Sequence, residues 1–166
     1  MLNRIEDIMD FVNSIRLEYR DQYDWQPEHR EYFSRELIDK WKFSFAVVNE
    51  SNTFYLINFS SVYDNIIHNH CTYILKSKRN LDLAKIHMLE LCQTGIDNGF
   101  TKQEGYFPKN NNGSIALHLK MGWEIISLRN NKDLLMQADL ETVRSRTYNL
   151  LVHQEKNSIE LMRERQ

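Results

Sequence analysis

The sequence predicts an α/β (α+β) fold: a mixed central sheet with flanking helices and an extra C-terminal helix. Two observations favour this class. Apolar residues change along the chain between helical spacing and the short runs typical of strands. The 166 residues, 42% hydrophobic and 27% charged, have the size and composition of one globular domain with a substantial core. We expect that domain to span residues 1–140, followed by a helical extension over residues 141–166.

The N-terminal half is predicted to hold two helices and then three strands. Apolar residues from Ile5 to Tyr19 recur at steps of three and four, and Pro27 suits the first turn of a second helix. Short apolar, β-branched and aromatic runs follow, and they predict strands at Phe43 to Val48, Thr53 to Phe59 and His68 to Leu75.

The C-terminal half alternates helices and strands. Helical spacing of Leu81, Ala84, Met88, Leu91 and Gly95 predicts a helix from Asn80 to Ile96. Further elements are predicted in this order: a strand at Thr101 to Phe107, a helix at Ser114 to Met121 that ends on a left-handed Gly122, a hairpin of Glu124 to Leu128 and Asp133 to Ala138 across Asn130 and Asn131, and a helix from Glu141 to Gln166.

Charge and cysteine content narrow the class of partner. The formal net charge is −2, so no general attraction to nucleic acid or to an anionic membrane is expected. The charged N-terminus lacks the apolar core of a signal peptide, and no run approaches the roughly 20 apolar residues of a membrane span. Two cysteines are too few for a disulfide framework or a cysteine-rich zinc site. We therefore expect a cytoplasmic protein without a bound metal.

One segment resembles a known family. Residues 111–123, NNGSIALHLKMGW, are similar to the N-x-x-A-x-x-x-Y-x-K-x-G-F segment of the GNAT superfamily of N-acetyltransferases. In this comparison Asn111 occupies the family's Asn position, Ser114 the Ala position and His118 the Tyr position. The resemblance implies a GNAT-like acyltransferase that moves an acetyl or other acyl group from a coenzyme A thioester to an amine.

The resemblance also implies a cofactor site. The loop after the strand at His68 to Leu75 would hold the coenzyme A pyrophosphate, where the family has Q/R-x-x-G-x-G/A. Arg79 and Ala84 fit this pattern, but Asp82 replaces the central glycine and adds a negative charge. Basic residues around the loop offset that charge. The residues expected to contact acetyl-coenzyme A, or a related acyl carrier, are Leu75, Lys76, Ser77, Lys78, Arg79, Asn80, Asp82, Ala84, Asn111 and Ser114.

Four residues are candidates for the chemistry. An amine nucleophile must lose a proton, and a thiolate leaving group benefits from a proton donor. The family's donor is a Tyr, and His118 could replace it as an imidazolium that titrates near neutrality; otherwise it is a surface histidine. His68 and His70 alternate on one strand, so they share a face and could act as bases or be ordinary polar residues. Glu104 on the next strand is the remaining candidate.

Other functions remain open at this stage. Asp82 and the missing Tyr are equally consistent with a GNAT-fold binding or scaffold protein that has lost acyl-coenzyme A catalysis. The basic loop alone suggests a modifier of nucleotide or nucleic-acid amines, although the net charge argues against nucleic acid as a partner. The expected acceptor is a small-molecule or peptide amine. Spaced apolar residues in the C-terminal helix suggest docking on the domain or a homodimer through that helix.

Overall fold

Strands form where β-branched and aromatic residues cluster, and helices form where apolar residues recur every three to four positions. The computed structural model describes residues 42–48, 54–79 and 82–163. The two helices predicted within the first 41 residues lie outside this described part. Contacts divide the chain into two units, Met1–Lys78 and Arg79–Gln166, each of which contains three antiparallel strands.

The first unit is built on strand β2. Strands β1 (Phe45–Val48), β2 (Phe54–Tyr63) and β3 (Ile66–Ile74) pair antiparallel in chain order, so β2 lies between the other two. The three predicted strands are confirmed. Strand β2 is longer than expected, and β3 starts two residues earlier than expected and ends before Leu75. The β2–β3 turn contains Asp64 at φ +48°, a left-handed conformation that Asp tolerates.

Buried polar side chains explain why β2 continues through Ser60 and Ser61. The Asn58 amide donates to the Phe43 carbonyl at 2.8 Å and to Ser60 Oγ at 2.9 Å. Ser44 Oγ donates to the Ser60 carbonyl at 2.9 Å and accepts a hydrogen bond from the Ser60 backbone N–H at 3.0 Å. Serine is a common turn residue, but here these bonds satisfy the polar groups inside the sheet.

The second unit contains all the described α-helices. Its elements are α1 (Leu83–Asp97), β4 (Lys102–Pro108), α2 (Asn112–Lys120), β5 (Glu124–Arg129), β6 (Asp133–Asp139) and α3 (Leu140–Arg163). Strand β6 lies between β4 and β5 and is antiparallel to both. The predicted order of helices and strands in this half is confirmed, with boundaries that differ by up to three residues.

Left-handed residues set two of the turns. Helix α2 ends at Gly122, where φ is +98° and the Trp123 N–H donates to the His118 carbonyl at 3.0 Å, as a left-handed helix cap requires. A Cβ at position 122 would also lie 3.0 Å from side-chain carbons of Thr142 and Arg146. In the β5–β6 hairpin, Asn130 and Asn131 have φ of 50° and 55°, the pair that a type I′ turn needs. Both turns were predicted from the sequence and are confirmed.

Helix α3 begins inside the second unit. Asp139 caps it by accepting the Thr142 N–H at 2.9 Å, and Leu140, Val143 and Thr147 are fully buried. Arg144 reaches across to α1 and donates to Gln93 Oε1 at 2.8 Å. The first half of this helix is therefore docked, while pairing of α3 with a second chain stays a prediction. Within the described ranges, no helix is both long and apolar enough to cross a membrane.

A histidine lies in the core of this unit. Helix α1 buries the predicted Met88, Leu91 and Gly95, and it also buries His87, which is 3% exposed, and Cys92. Burial, and to a smaller extent the nearby His118, lowers the pKa of His87 to about 4. The imidazole is therefore neutral in the folded protein at neutral pH.

We predict that acid destabilises the fold through His87. Its pKa of about 4 in the folded protein lies below the ordinary histidine pKa of 6.5, so its stabilising contribution is complete above pH 6.5 and is lost as the pH falls toward 4. The loss reaches about 3 kcal/mol at about 1.4 kcal/mol per pKa unit. Urea unfolding across this range should show a flatter pH dependence for His87→Leu. The neighbouring core variant Met88→Leu should keep the wild-type slope, and equal slopes for wild type and His87→Leu would contradict the assignment.

Candidate functional site

The start of α1 has the backbone geometry expected of a glycine. Asp82 precedes the helix with φ 56° and ψ 5°, and its carbonyl accepts the N–H groups of Lys85 and Ile86 at 2.9 and 3.0 Å. Glycine adopts this left-handed region freely, and Asp is one of the few other residues that enter it. In the resemblance to the GNAT loop, Asp82 takes the place of the central glycine. The side chain differs from the family pattern, but the backbone conformation suits that position.

The Asp82 carboxylate does not cap the helix. It forms an ion pair with the Lys85 ammonium one turn later, and the two side chains are 35% and 15% exposed, respectively. The pair offsets the negative charge that the sequence places at this turn. Ala84, which occupies the family's second small position, is half-buried in the first turn of α1.

The expected cofactor residues before α1 lie in a short helical turn. Lys76, Ser77 and Lys78 form a 3-10 turn in the first unit, closed by a 2.7 Å hydrogen bond from the Lys78 N–H to the Leu75 carbonyl. All three side chains are exposed, as is Arg79, which begins the second unit. Asn80 lies outside the described residues. Exposed cations of this kind can bind phosphate without a large desolvation cost.

Asn111 and Ser114 organise the start of α2. Asn111 is the N-cap residue, and its side-chain oxygen accepts the Ser114 N–H at 3.4 Å. The Ser114 carbonyl accepts a 2.8 Å hydrogen bond from His118 Nδ1, and Ser114 Oγ lies 3.4 Å from the same nitrogen. In this structure the two residues hold the helix and the His118 ring, and their role as cofactor contacts stays a prediction.

The His118 ring is packed among aromatic side chains. Its centroid lies 4.6 Å from that of Phe107 on β4 and 5.0 Å from that of Trp123, both in edge-on geometry. Burial lowers the pKa of His118 to about 4, although the hydrogen bond to the Ser114 carbonyl opposes that shift. The expectation that His118 titrates near neutrality is therefore wrong, because an apolar aromatic pocket disfavours the imidazolium.

The hydrogen bond to Ser114 also determines the tautomer of His118. A carbonyl oxygen can only accept, so Nδ1 carries the proton and Nε2 is an acceptor. A neutral imidazole in this form has no Nε2 proton to give to a leaving thiolate. The resemblance places His118 at the family's proton-donating Tyr, and in this tautomer it lacks the same capacity to donate.

Two of the candidate catalytic residues, Glu104 and His118, lie on opposite sides of strand β4. Phe107, which contacts His118, and Gln103, whose amide lies 3.4 Å from Met88 Sδ on α1, are at odd positions of the strand. Glu104 is at an even position, pairs in register with Gln137 and accepts from its amide at 3.4 Å. Because side chains alternate between the faces of a strand, Glu104 and His118 lie on opposite faces of β4. They do not form one catalytic group.

His68 and His70 share a face of β3, as predicted. Their ring centroids are 4.6 Å apart, and His70 is exposed while His68 is half-exposed. The next residue, Cys71, is buried. The Ser61 hydroxyl on β2 lies 2.7 Å from His70 Nε2. This bond holds one nitrogen of His70 and directs the other away from Ser61.

Sequence reasoning missed three residues of these sites. Ser61 could be found only through the β2–β3 register, which pairs it with His68. Phe107 and Trp123 fit the general apolar pattern, but nothing in their spacing showed that they would enclose His118. Among the described residues there is no cluster of three or more His, Cys, Asp or Glu that could hold a metal ion.

Comparisons with known proteins show the fold. No protein-family model and no curated protein matches the sequence. Among solved structures, a GNAT-family acetyltransferase from Staphylococcus aureus is similar with a TM-score of 0.63 and 15% identity, over 81% of this chain and 92% of that one. The ribosomal-protein-S18-alanine N-acetyltransferase of Escherichia coli is similar with a TM-score of 0.60 and 13% identity, over 70% of this chain and 77% of that one.

A third similar structure was solved with its cofactor. It is the PaiA N-acetyltransferase from Thermoplasma acidophilum in complex with coenzyme A, with a TM-score of 0.51 and 14% identity, over 55% of this chain and 57% of that one. The neighbours agree with the resemblance carried by residues 111–123. The chain has the GNAT acetyltransferase fold.

Proposed function

We propose that this protein is an N-acyltransferase that moves an acetyl or related acyl group from a coenzyme A thioester to a small-molecule or peptide amine. One observation carries the proposal: the left-handed backbone of Asp82 at the loop position where the GNAT pattern has glycine. A PaiA N-acetyltransferase of the same fold binds coenzyme A. Cys71 and Cys92 are buried thiols that form no disulfide, which is consistent with a cytoplasmic setting.

The first turn of α1 supplies the groups that a pyrophosphate needs. Backbone N–H groups and the positive end of the helix dipole favour an anion at a helix N-terminus. Lys85 sits in that turn, and its ammonium can leave Asp82 to pair with a phosphate. A carboxylate about 4 Å from a phosphate charge costs between about 1 kcal/mol in water and about 4 kcal/mol at an effective dielectric near 20, so Asp82 weakens this site unless it stays paired.

Deprotonation of the acceptor amine falls to the histidines of β3. An alkyl ammonium has a pKa near 10.4, so a base must take its proton before the nitrogen attacks the acyl carbon. His70 is exposed and already oriented by Ser61, and His68 lies against it. Imidazole takes the first proton from the ammonium, and the neutral amine forms the C–N bond to the acyl carbon. The nitrogen then loses its second proton to solvent, the thioester C–S bond breaks, and the departing thiolate takes a proton from solvent. Glu104 remains a second candidate base on β4.

His118 shapes the pocket rather than donating a proton in this proposal. Its neutral ring, with Nδ1–H committed to the Ser114 carbonyl, replaces a phenol that could donate. The chemical step should therefore be slow compared with an enzyme that has Tyr at this position. Proton donation by a positioned acid typically contributes about 10²- to 10⁴-fold to a rate.

A second function is favoured by one specific contact. The Asp82–Lys85 ion pair lies at the N-terminal end of α1. An ion pair that persists there prevents a pyrophosphate from binding to the helix N-terminus. The protein would then be a GNAT-fold binding or scaffold protein without acyl-coenzyme A catalysis.

Titration calorimetry with acetyl-coenzyme A separates the two functions. The acyltransferase proposal predicts saturable binding, and loss of affinity when Lys76 and Lys78 are both changed to Gln. The matched control Lys102→Gln, an exposed lysine on β4, should bind as wild type does. Absence of both heat and thermal stabilisation at every ligand concentration would favour the scaffold function.

Two substitutions at Asp82 test the loop. Asp82→Gly removes the carboxylate and the left-handed strain, so we predict about tenfold tighter binding of acetyl-coenzyme A. Asp82→Asn removes the charge but keeps a residue that tolerates the left-handed conformation, so it should show most of the same gain. If both variants bind more weakly than wild type, the carboxylate contributes to the site and our account of the loop is wrong.

Substitution of His118 tests its role in the chemistry. His118→Tyr should raise kcat by about tenfold or more, because it restores a hydroxyl donor in the same aromatic pocket. His118→Phe fills the pocket without a donor and should leave kcat within about threefold of wild type. A hundredfold loss in His118→Phe would show instead that the imidazole takes part in proton transfer.

A further inference from the structure

Strand β5 presents an exposed apolar edge. It pairs with β6 and with no other described strand, so its outer backbone groups face away from the sheet. Ile125, Ile126 and Leu128 are 48%, 53% and 52% exposed, and all six residues of the strand are exposed. Natural edge strands usually carry charges, proline or a bulge that hinders pairing; the sequence Glu124–Arg129, EIISLR, has neither lysine nor proline, and its two charges lie at its ends.

The register assigns each residue of β5 to a face. Glu124 aligns through Gln137 with Glu104, and Arg129 aligns through Asp133 with Pro108, so both are on the Glu104 face. The Arg129 guanidinium lies 4.9 Å from the ring centroid of Tyr106, which is on the same face. Ile125 aligns through Met136 with Gly105, and Leu128 aligns through Leu134 with Phe107, so these two are on the opposite face.

The irregularity in β5 makes the strand complementary to itself. In a regular strand, residues five apart are on opposite faces, so Glu124 and Arg129 could not meet across a two-fold axis. Here the register shifts between Ile125 and Ser127, and the extra residue brings both ends to one face. When a second copy pairs antiparallel with β5, Glu124 of one chain lies opposite Arg129 of the other on one face of the sheet. On the other face, Ile125 of one chain lies opposite Leu128 of the other. The two-fold axis passes between Ile126 and Ser127.

We propose that β5 is an interface with a second copy of this chain, paired antiparallel so that Glu124 contacts Arg129 of the partner subunit. Each copy contributes the same patch, as a two-fold dimer requires. Backbone hydrogen bonds would join the sheets, two symmetric charge pairs would set the register, and the apolar side chains would lose solvent contact. Glu124 forms no ion pair within the described part of its own chain. This interface is independent of the proposed acyl transfer.

A second exposed apolar surface offers an alternative dimer interface, and substitutions in it serve as controls. It lies between α1 and α3, where Glu90 and Tyr148 line a groove and Tyr148 is 59% exposed. The sequence predicted a homodimer through the C-terminal helix. Glu90 and Arg144 both line this groove, but Arg144 is already bonded to Glu141 and Gln93 of its own chain, and the groove is therefore the competing interface.

The experiment is sedimentation equilibrium at low ionic strength over a range of concentrations. Wild type should approach twice the 20.0 kDa chain mass as its concentration rises. Glu124→Arg and Arg129→Glu each oppose like charges at two symmetric positions, so each should raise the dimer Kd by about tenfold or more. An equal mixture of the two variants restores opposite charges at both positions and should dimerise as wild type does. Glu90→Arg and Tyr148→Ser should leave the dimer unchanged.

Three results would overturn the proposal. They are a chain that stays at 20.0 kDa at every concentration, a dimer that survives both β5 variants or is lost in Tyr148→Ser, and a mixture that does not restore association. Hydrogen exchange of the wild-type chain tests the same point without substitutions. Protection of β5 backbone amides should increase with protein concentration, and protection that is independent of concentration contradicts the interface.

Discussion

The start of α1 depends on one residue in a left-handed conformation. Asp82 turns the chain into the helix, its carbonyl accepts the first helical N–H groups, and its carboxylate pairs with Lys85. Asp82, a charged residue, thus adopts a left-handed conformation in which glycine is usually found. The geometry and the electrostatics of the turn point in opposite directions: the backbone suits an anion, and the side chain repels one. Whether the protein binds coenzyme A depends on which effect is larger.

Desolvation of imidazoles is the second constraint on function. His87 and His118 both belong to the second unit, and burial lowers the pKa of each to about 4. Both rings are therefore neutral at neutral pH, and neither supplies a proton as an imidazolium. His70 on β3 is exposed and is held by Ser61, and the half-buried His68 lies against it.

The sequence predicted the order of the described elements because periodicity and turn chemistry are local. Gly122, Asn130 and Asn131 were identified as turns from residue type alone, and each has positive φ. The continuation of β2 through Ser60 was not predictable, because it depends on bonds to Ser44 and Asn58 that are distant in the chain. For the same reason a motif could place His118 on a helix but could not show the aromatic pocket that keeps it neutral. Strand parity separates Glu104 from His118, and that separation follows only once the register of β4 is known.

The central claim is that the N-terminus of α1 receives the pyrophosphate of coenzyme A despite Asp82. Backbone amide chemical shifts during a titration with coenzyme A test it most directly. The account predicts that the largest shifts occur at Leu83 and Ala84, in the first turn of α1, and that they saturate. A titration that leaves these two amides unchanged, while the rest of the spectrum shows a folded protein, would contradict it.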